Sequence, residues 1–146
     1  MNKQAGNTCV TNILELVLQK LCGSGINEGQ IDLYYNTTYQ PADIFRDGVA
    51  VENLKPLLDH YINTTPIGIN NWGDILESGH PIMTGFNTGE IDPVDSSLIF
   101  HNVLVTGYNM ETGRYIYLDP QTGKTSERPV GDFENSYRYA LGCKEN

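Results

Sequence analysis

The chain has 146 residues, enough for one domain with its own hydrophobic core. Eighteen acidic against nine basic side chains leave a net charge of −9 and no basic stripe, which argues against nucleic acid as the main partner and leaves a basic substrate open. No apolar run is long enough to cross a bilayer, so no membrane partner is expected; no basic segment followed by an apolar one suggests a signal peptide within these residues, which leaves a leader or a larger parent protein open.

Met1 to Thr8 are polar, with Gly6 and Asn7 suited to a tight turn. From Cys9 the pattern changes. Val10, Ile13, Leu14, Val17, Leu18 and Leu21 recur at helical spacing, with Thr8 as N-cap and Gly23-Ser24-Gly25 as the stop. Cys9 then falls in the first turn, where unpaired backbone N–H groups and the helix dipole favour a thiolate. A small side chain tucked into the core is the plainer role for the same residue. Cys9, Cys22 and Cys143 are odd in number, so at least one stays outside any intrachain disulfide, and no spacing suggests zinc.

Further on, Tyr34, Tyr35, Tyr39 and Phe45 supply aromatic surface, and Gln40-Pro41-Ala42-Asp43 predicts the start of a short helix with Pro41 in its first turn. Val51, Leu54, Leu57, Leu58 and Tyr61 fit one helical face, which Pro56 forces to begin near Asn53 or to kink. His60, near that helix end, is given no catalytic role. Thr65–Ile69 predicts a short strand, Trp72–Ser78 a helix capped by Asn71 and stopped by Gly79, and His80–Phe86 a strand with Pro81 at its start or edge. His80 is read as a structural histidine. The acidic stretch Gly89–Ser97 is a loop.

His101 then opens a run of β-formers ending at Tyr108, and Arg114-Tyr115-Ile116-Tyr117-Leu118-Asp119-Pro120 follows after a turn over Asn109–Gly113. Antiparallel pairing of the two brings His101 and Asp119 to the same end of the sheet. Beyond a turn at Gln121–Lys124, Thr125–Val130 predicts a strand, Gly131–Tyr137 a helical turn with Phe133 inward, and Tyr139–Cys143 a last strand. Helices come first and strands later, an α+β order.

A cysteine at a helix start, a histidine opening a strand and an acid closing the next make a nucleophile, a base and an orienting group. Developing negative charge on the attacked carbonyl needs donors, for which the Cys9 N–H and the Gln4 side chain, with Asn7 in reserve, are the candidates. Gln4…Cys9 before a helix, Leu76-Glu77-Ser78-Gly79-His80-Pro81-Ile82, His101 with Val103-Leu104-Val105-Thr106-Gly107-Tyr108, and Tyr115 to Pro120 resemble the papain-like cysteine peptidases, most closely the bacteriocin-processing (double-glycine leader) branch. Where that family usually carries a Cys-Gly-Pro-like stretch, this chain reads Cys9-Val10-Thr11.

The resemblance implies a single papain-like domain over 1–146, with a helical half over about 1–80 and an antiparallel sheet half over about 81–146. It implies Cys9 as nucleophile, His101 as general base and acid, Asp119 as orienter and Gln4 as oxyanion donor, with no cofactor and no metal. Peptide hydrolysis is the expected activity, on a protein or peptide substrate. Glutamine deamidation or another acyl transfer uses the same triad, and a catalytically inactive binding module reuses the same cleft. Tyr34, Tyr35, Trp72, Asp92 and Asp95 are candidates for the groove. By analogy with papain-like toxin modules, the chain is also expected to be a piece of a secreted bacterial effector, acting in a target-cell cytoplasm and held by an immunity protein.

Overall fold

The computed structural model describes residues 9–91 and 98–144. The chain forms two compact units, one over Thr65–Leu141 and one made of the described residues up to Thr64 together with those from Gly142 on.

The second of these is helical. Helix α1, Cys9–Leu16, buries Val10, Ile13 and Leu14 at the expected spacing and runs on into a π-helical turn, Val17–Leu21. Gly23, at a φ of +68°, ends it as a left-handed residue, and the Ser24 N–H closes back on the Leu18 carbonyl. Helix α2, Glu28–Thr38, occupies a stretch in which the sequence suggested no helix. Its apolar stripe is weak, but Asn27 and Gln30 form a reciprocal capping box, with Asn27 Oδ1 accepting from the Gln30 N–H and Gln30 Oε1 from the Asn27 N–H.

Helix α3 is Ile44–Asp47, not a helix begun at Pro41: Asp43 caps it by accepting the Phe45 N–H. Helix α4, Val51–Tyr61, starts two residues before Asn53 and carries Pro56 inside it, while Leu54, Leu57 and Leu58 are buried. His60, near its end, stacks on the Tyr34 ring at 4.0 Å. A disulfide joins Cys22 to Cys143 and ties the C-terminal segment to the end of the first helix.

The strands run in the order β1-β6-β2-β3-β4-β5, where β1 is Ile62–Pro66, β2 Ile82–Ile91, β3 Leu98–Asn109, β4 Arg114–Leu118, β5 Thr125–Arg128 and β6 Tyr139–Cys143, and β2 to β5 lie wholly in the other unit. Strand β1 thus begins and ends three residues earlier than the pattern Thr65–Ile69 suggested. Helix α5, Trp72–Glu77, follows Asn71, which sits in the left-handed region without a side-chain capping bond, so Asn71 marks the boundary by conformation and does not cap. The indole N–H of Trp72 donates to the Gly68 carbonyl at 2.7 Å. Trp72, Phe133, Phe86, Tyr117, Ile82, Val103 and Val105 form the buried core of this unit. Trp72 and Tyr35 are fully buried, which removes both from the groove. Asp92 and Asp95 lie outside the described residues.

Candidate active site

The β3–β4 hairpin closes through the Gly113 N–H and the Asn109 carbonyl, with Gly113 at a φ of +71°. From there the register runs Asn109 opposite Arg114, Tyr108 opposite Tyr115 and Gly107 opposite Ile116. A bulge then intervenes. Beyond it Val105 faces Tyr117 and Leu104 faces Leu118, so Thr106 is the extra residue.

This single insertion decides the site. Without it, Asp119 would oppose Leu104 and point to the face away from His101, because side chains alternate along a strand. With it, continuing from Leu104–Leu118 sets Asp119 beside Val103, and His101 becomes its diagonal neighbour on the same face. His101 Nε2 lies 3.0 Å from Asp119 Oδ2, with the two side chains only 15% and 23% exposed. Gly107 is the sequence signal of the irregularity, since a glycine inside a strand often marks a bulge.

Both partners are held from behind. Asp119 Oδ1 accepts the Gln121 N–H at 2.8 Å, its own N–H donates to the Lys124 carbonyl, and its carbonyl accepts the Gly123 N–H. The carboxylate therefore has one oxygen committed to the turn and one to the imidazole. His101 lies opposite Phe86 across the β2–β3 ladder, with the two rings edge to face at 5.6 Å. When Nε2–H is donated to Asp119, Nδ1 carries the lone pair and is the nitrogen available as a base. Gly85, one rung away, has no room for a side chain: a Cβ there would meet the Phe100 ring and stand 2.6 Å from the His101 carbonyl oxygen.

Cys9 is the first described residue of the helical unit and of α1, is 1% exposed and stays outside the disulfide. Gln4 and Asn7 lie outside the described residues. His80 uses Nδ1 on the Leu141 carbonyl at 3.0 Å, a structural bond of the turn before β2. Sequence reasoning missed the Cys22–Cys143 bridge, because two of three cysteines can pair in three ways and spacing does not choose among them. It also missed Arg128, whose guanidinium lies 3.8 Å above the Phe86 ring. Among the described residues, no group of three His, Cys, Asp or Glu is arranged to hold a metal ion, and no helix is long and apolar enough to cross a membrane.

The model of the Peptidase_C39 like family matches residues 4–144. The chain belongs to that family. A solved C39-like peptidase from Bacillus anthracis has the same fold, with a TM-score of 0.63 over 96% of this chain and 90% of that one, at 14% identity. No curated protein is significantly similar in sequence. An α+β architecture with N-terminal helices and a C-terminal antiparallel sheet, as the sequence order implied, is what this C39-like fold contains.

Proposed function

We propose that the chain is a cysteine peptidase in which Cys9 is the nucleophile, His101 the general base and acid, Asp119 the orienting group and Gln4 an oxyanion donor. The observation that carries this reading is the His101 Nε2–Asp119 Oδ2 contact of 3.0 Å, produced by the Thr106 bulge and backed by the Gln121 N–H. Such a pair is built to fix an imidazole's tautomer. Membership of a peptidase-like family and the position of Cys9 at a helix start support the same reading.

In the proposed reaction His101 Nδ1 takes the thiol proton and the Cys9 sulfur attacks the peptide carbonyl, forming a C–S bond. The carbonyl π electrons move to oxygen, where the Cys9 N–H and the Gln4 amide stabilise the charge. Collapse breaks the C–N bond as the imidazolium returns its proton to the leaving amine. Water, deprotonated by the same nitrogen, then hydrolyses the thioacyl intermediate and restores the thiol.

The test is intact-mass labelling with limiting iodoacetamide. Cys22 and Cys143 are bridged, so the non-reduced protein offers Cys9 as its labelling site, and the informative comparison is between wild type and His101→Ala. A rate at Cys9 at least about tenfold faster in wild type near neutral pH supports a working Cys–His pair. Equal rates sink the peptidase reading, and with it glutamine deamidation or any other acyl transfer on this triad, leaving a binding module.

The disulfide bears on the compartment. Bridges of this kind persist in oxidising surroundings, so the Cys22–Cys143 link favours an exported chain working outside a cytoplasm. This weighs against action in a target-cell cytoplasm. The toxin reading, with its immunity partner, rests on analogy alone; it fails when cytoplasmic expression of wild type and of Cys9→Ala leaves bacterial growth the same.

A further inference from the structure

Next to His101, and wholly within the sheet unit, lies a pocket of about 260 Å³. Phe86 links the two: one side of its environment is the His101 ring, and Arg128 lies on its ring face. The guanidinium is held there through Nη1, which donates to Asp132 Oδ2 at 3.0 Å, while Nε is buried with no hydrogen-bond partner among the described residues. Asp132 also lines the pocket, so a cation and an anion stand side by side in its wall. Asn87 and Asn135 add neutral amides, and Phe100 adds an apolar side that Gly85 makes room for by lacking a Cβ.

The charges decide what fits. A guanidinium has five N–H donors, and the Asp132 bond engages only part of that fork. Asp132, beside it, offers a second carboxylate oxygen as acceptor. A donor next to an acceptor is the complement of a primary carboxamide, which presents C=O and one N–H on the same edge. An incoming carboxylate would meet Asp132, and an incoming ammonium would meet Arg128, so both charged isosteres are penalised by a like charge at close range. The contact with the Phe86 ring and the bond to Asp132 restrain the guanidinium in advance and reduce the ordering cost of recognition.

We propose that this pocket is a substrate subsite for a carboxamide group, with Arg128 donating to its oxygen and Asp132 accepting from its N–H. The proposal rests on the peptidase reading only in taking the bound group to belong to a peptide substrate. Only a primary carboxamide has an N–H on the same side as its C=O, so the group is an Asn or Gln side chain; a trans main-chain peptide points the two apart and serves as the control.

The experiment is a nitrogen-15 NMR titration of the full chain with four small probes at equal ionic strength: propionamide, N-methylacetamide, propionate and propylammonium. The expected result is saturable movement of the Arg128 Nε–H and of the Asn87 and Asn135 side-chain amides with propionamide, at an affinity about tenfold or more above either charged probe. N-methylacetamide, whose N–H and C=O point apart, should bind more weakly than propionamide, and equal or tighter binding overturns the assignment. Asp132→Asn removes the like charge, and the margin of the amide over propionate should then fall to about threefold or less. Asp132→Ser serves in its place if the first variant loses its dispersed spectrum. A charged probe that binds as tightly as the amides, the absence of saturable shifts, or an unchanged margin in the folded variant overturns the proposal. Amide binding needs no nucleophile and should persist in Cys9→Ala, so equal Cys9 labelling rates in wild type and His101→Ala with intact amide binding condemn the peptidase reading alone.

Discussion

Both units carry ion pairs, Arg46–Asp47 and Lys55–Asp59 in the helical one, but they differ in how they hold their least exposed acids. In the sheet unit, charges are matched: His101 meets Asp119, Arg128 meets Asp132, and the Glu127 carboxylate accepts from Asn109 and Thr112. Those two hydrogen bonds hold the Glu127 carboxyl below its usual range. In the helical unit, Glu15, Glu28 and Asp32 crowd together. Burial, with its carboxylate neighbours adding to it, pushes Glu28 up; burial, then Glu15, pushes Asp32 up against the opposing bond from Thr11. Asp32 is only 5% exposed, and Asp32 Oδ1 and Glu28 Oε2 are buried with no hydrogen-bond partner among the described residues. Matched charge is what a site needs when its geometry must stay fixed. Unmatched charge costs stability at neutral pH and has no role in the chemistry proposed above.

The largest break in this comparison comes from the sheet unit's dyad. His101→Ala and Cys9→Ala should each lower peptidase turnover by about 10⁴-fold or more, since residues of such a unit fail together. Asp119→Ala should cost about 10²-fold, and Asp119→Asn clearly less, because an amide oxygen still accepts the Nε2–H. Comparable losses for the Ala and Asn variants would show that the charge, not the hydrogen bond, is what His101 requires.

Next in size is the disulfide, the covalent counterweight of the helical unit. Opening a bridge that spans 121 residues should remove about 4 to 5 kcal/mol of stability in the chain-entropy picture. Urea midpoints with and without reductant measure it. An unchanged midpoint would mean that the helical unit stands on packing alone.

Gly85→Ala probes how rigidly the sheet holds its base. The new methyl meets the Phe100 ring and the His101 carbonyl, so overpacking should cost about 1 to 3 kcal/mol and shift strand β3 at the site. Stability and labelling rate at Cys9 should fall together. A stability loss with an undiminished rate would place the displacement on Phe100 rather than on the histidine.

The smallest effect sharpens the contrast most. A carboxyl raised in the folded state favours the protonated form, so Asp32 lowers stability above its raised folded pKa, and that penalty fades as pH falls to the ordinary value of 3.8. Asp32→Asn should therefore stabilise the chain at pH 7, by about 1 kcal/mol or less, and the gain should shrink toward pH 4. Glu127 behaves in reverse. Its lowered pKa contributes stability that is complete above the ordinary value of 4.5 and is lost as pH falls through the folded value. Glu127→Gln should lower the melting temperature at pH 7, with the difference vanishing in acid. Two variants with shifts of the same sign would end the comparison.

Much of this was legible in the residues. The first helix followed from Val10, Ile13, Leu14, Val17 and Leu18, because burial of one face imposes a 3.6-residue period that survives any tertiary context. The hairpin followed from β-formers on either side of a turn ending in Gly113. Helix α2 was not legible by periodicity, since its stripe is interrupted by Gly29 and polar residues; the Asn27–Gln30 capping box was the available signal. The strand β1 offset has a similar cause, for Ile62 to Pro66 shows no alternation strong enough to set its ends.

By itself the sequence determined the residue types of the chemistry, the end of the sheet that carries His101 and Asp119, and the helix that begins with Cys9. Only the tertiary structure decided that His101 and Asp119 share a face, that Cys22 is joined to Cys143, and that Arg128 is pinned over Phe86. The physical reason is one of range. Helical period and turn chemistry are local and can be read from a few neighbours, whereas a one-residue bulge, a disulfide partner and a cation on a ring are settled by strands and segments that meet only when the chain has folded.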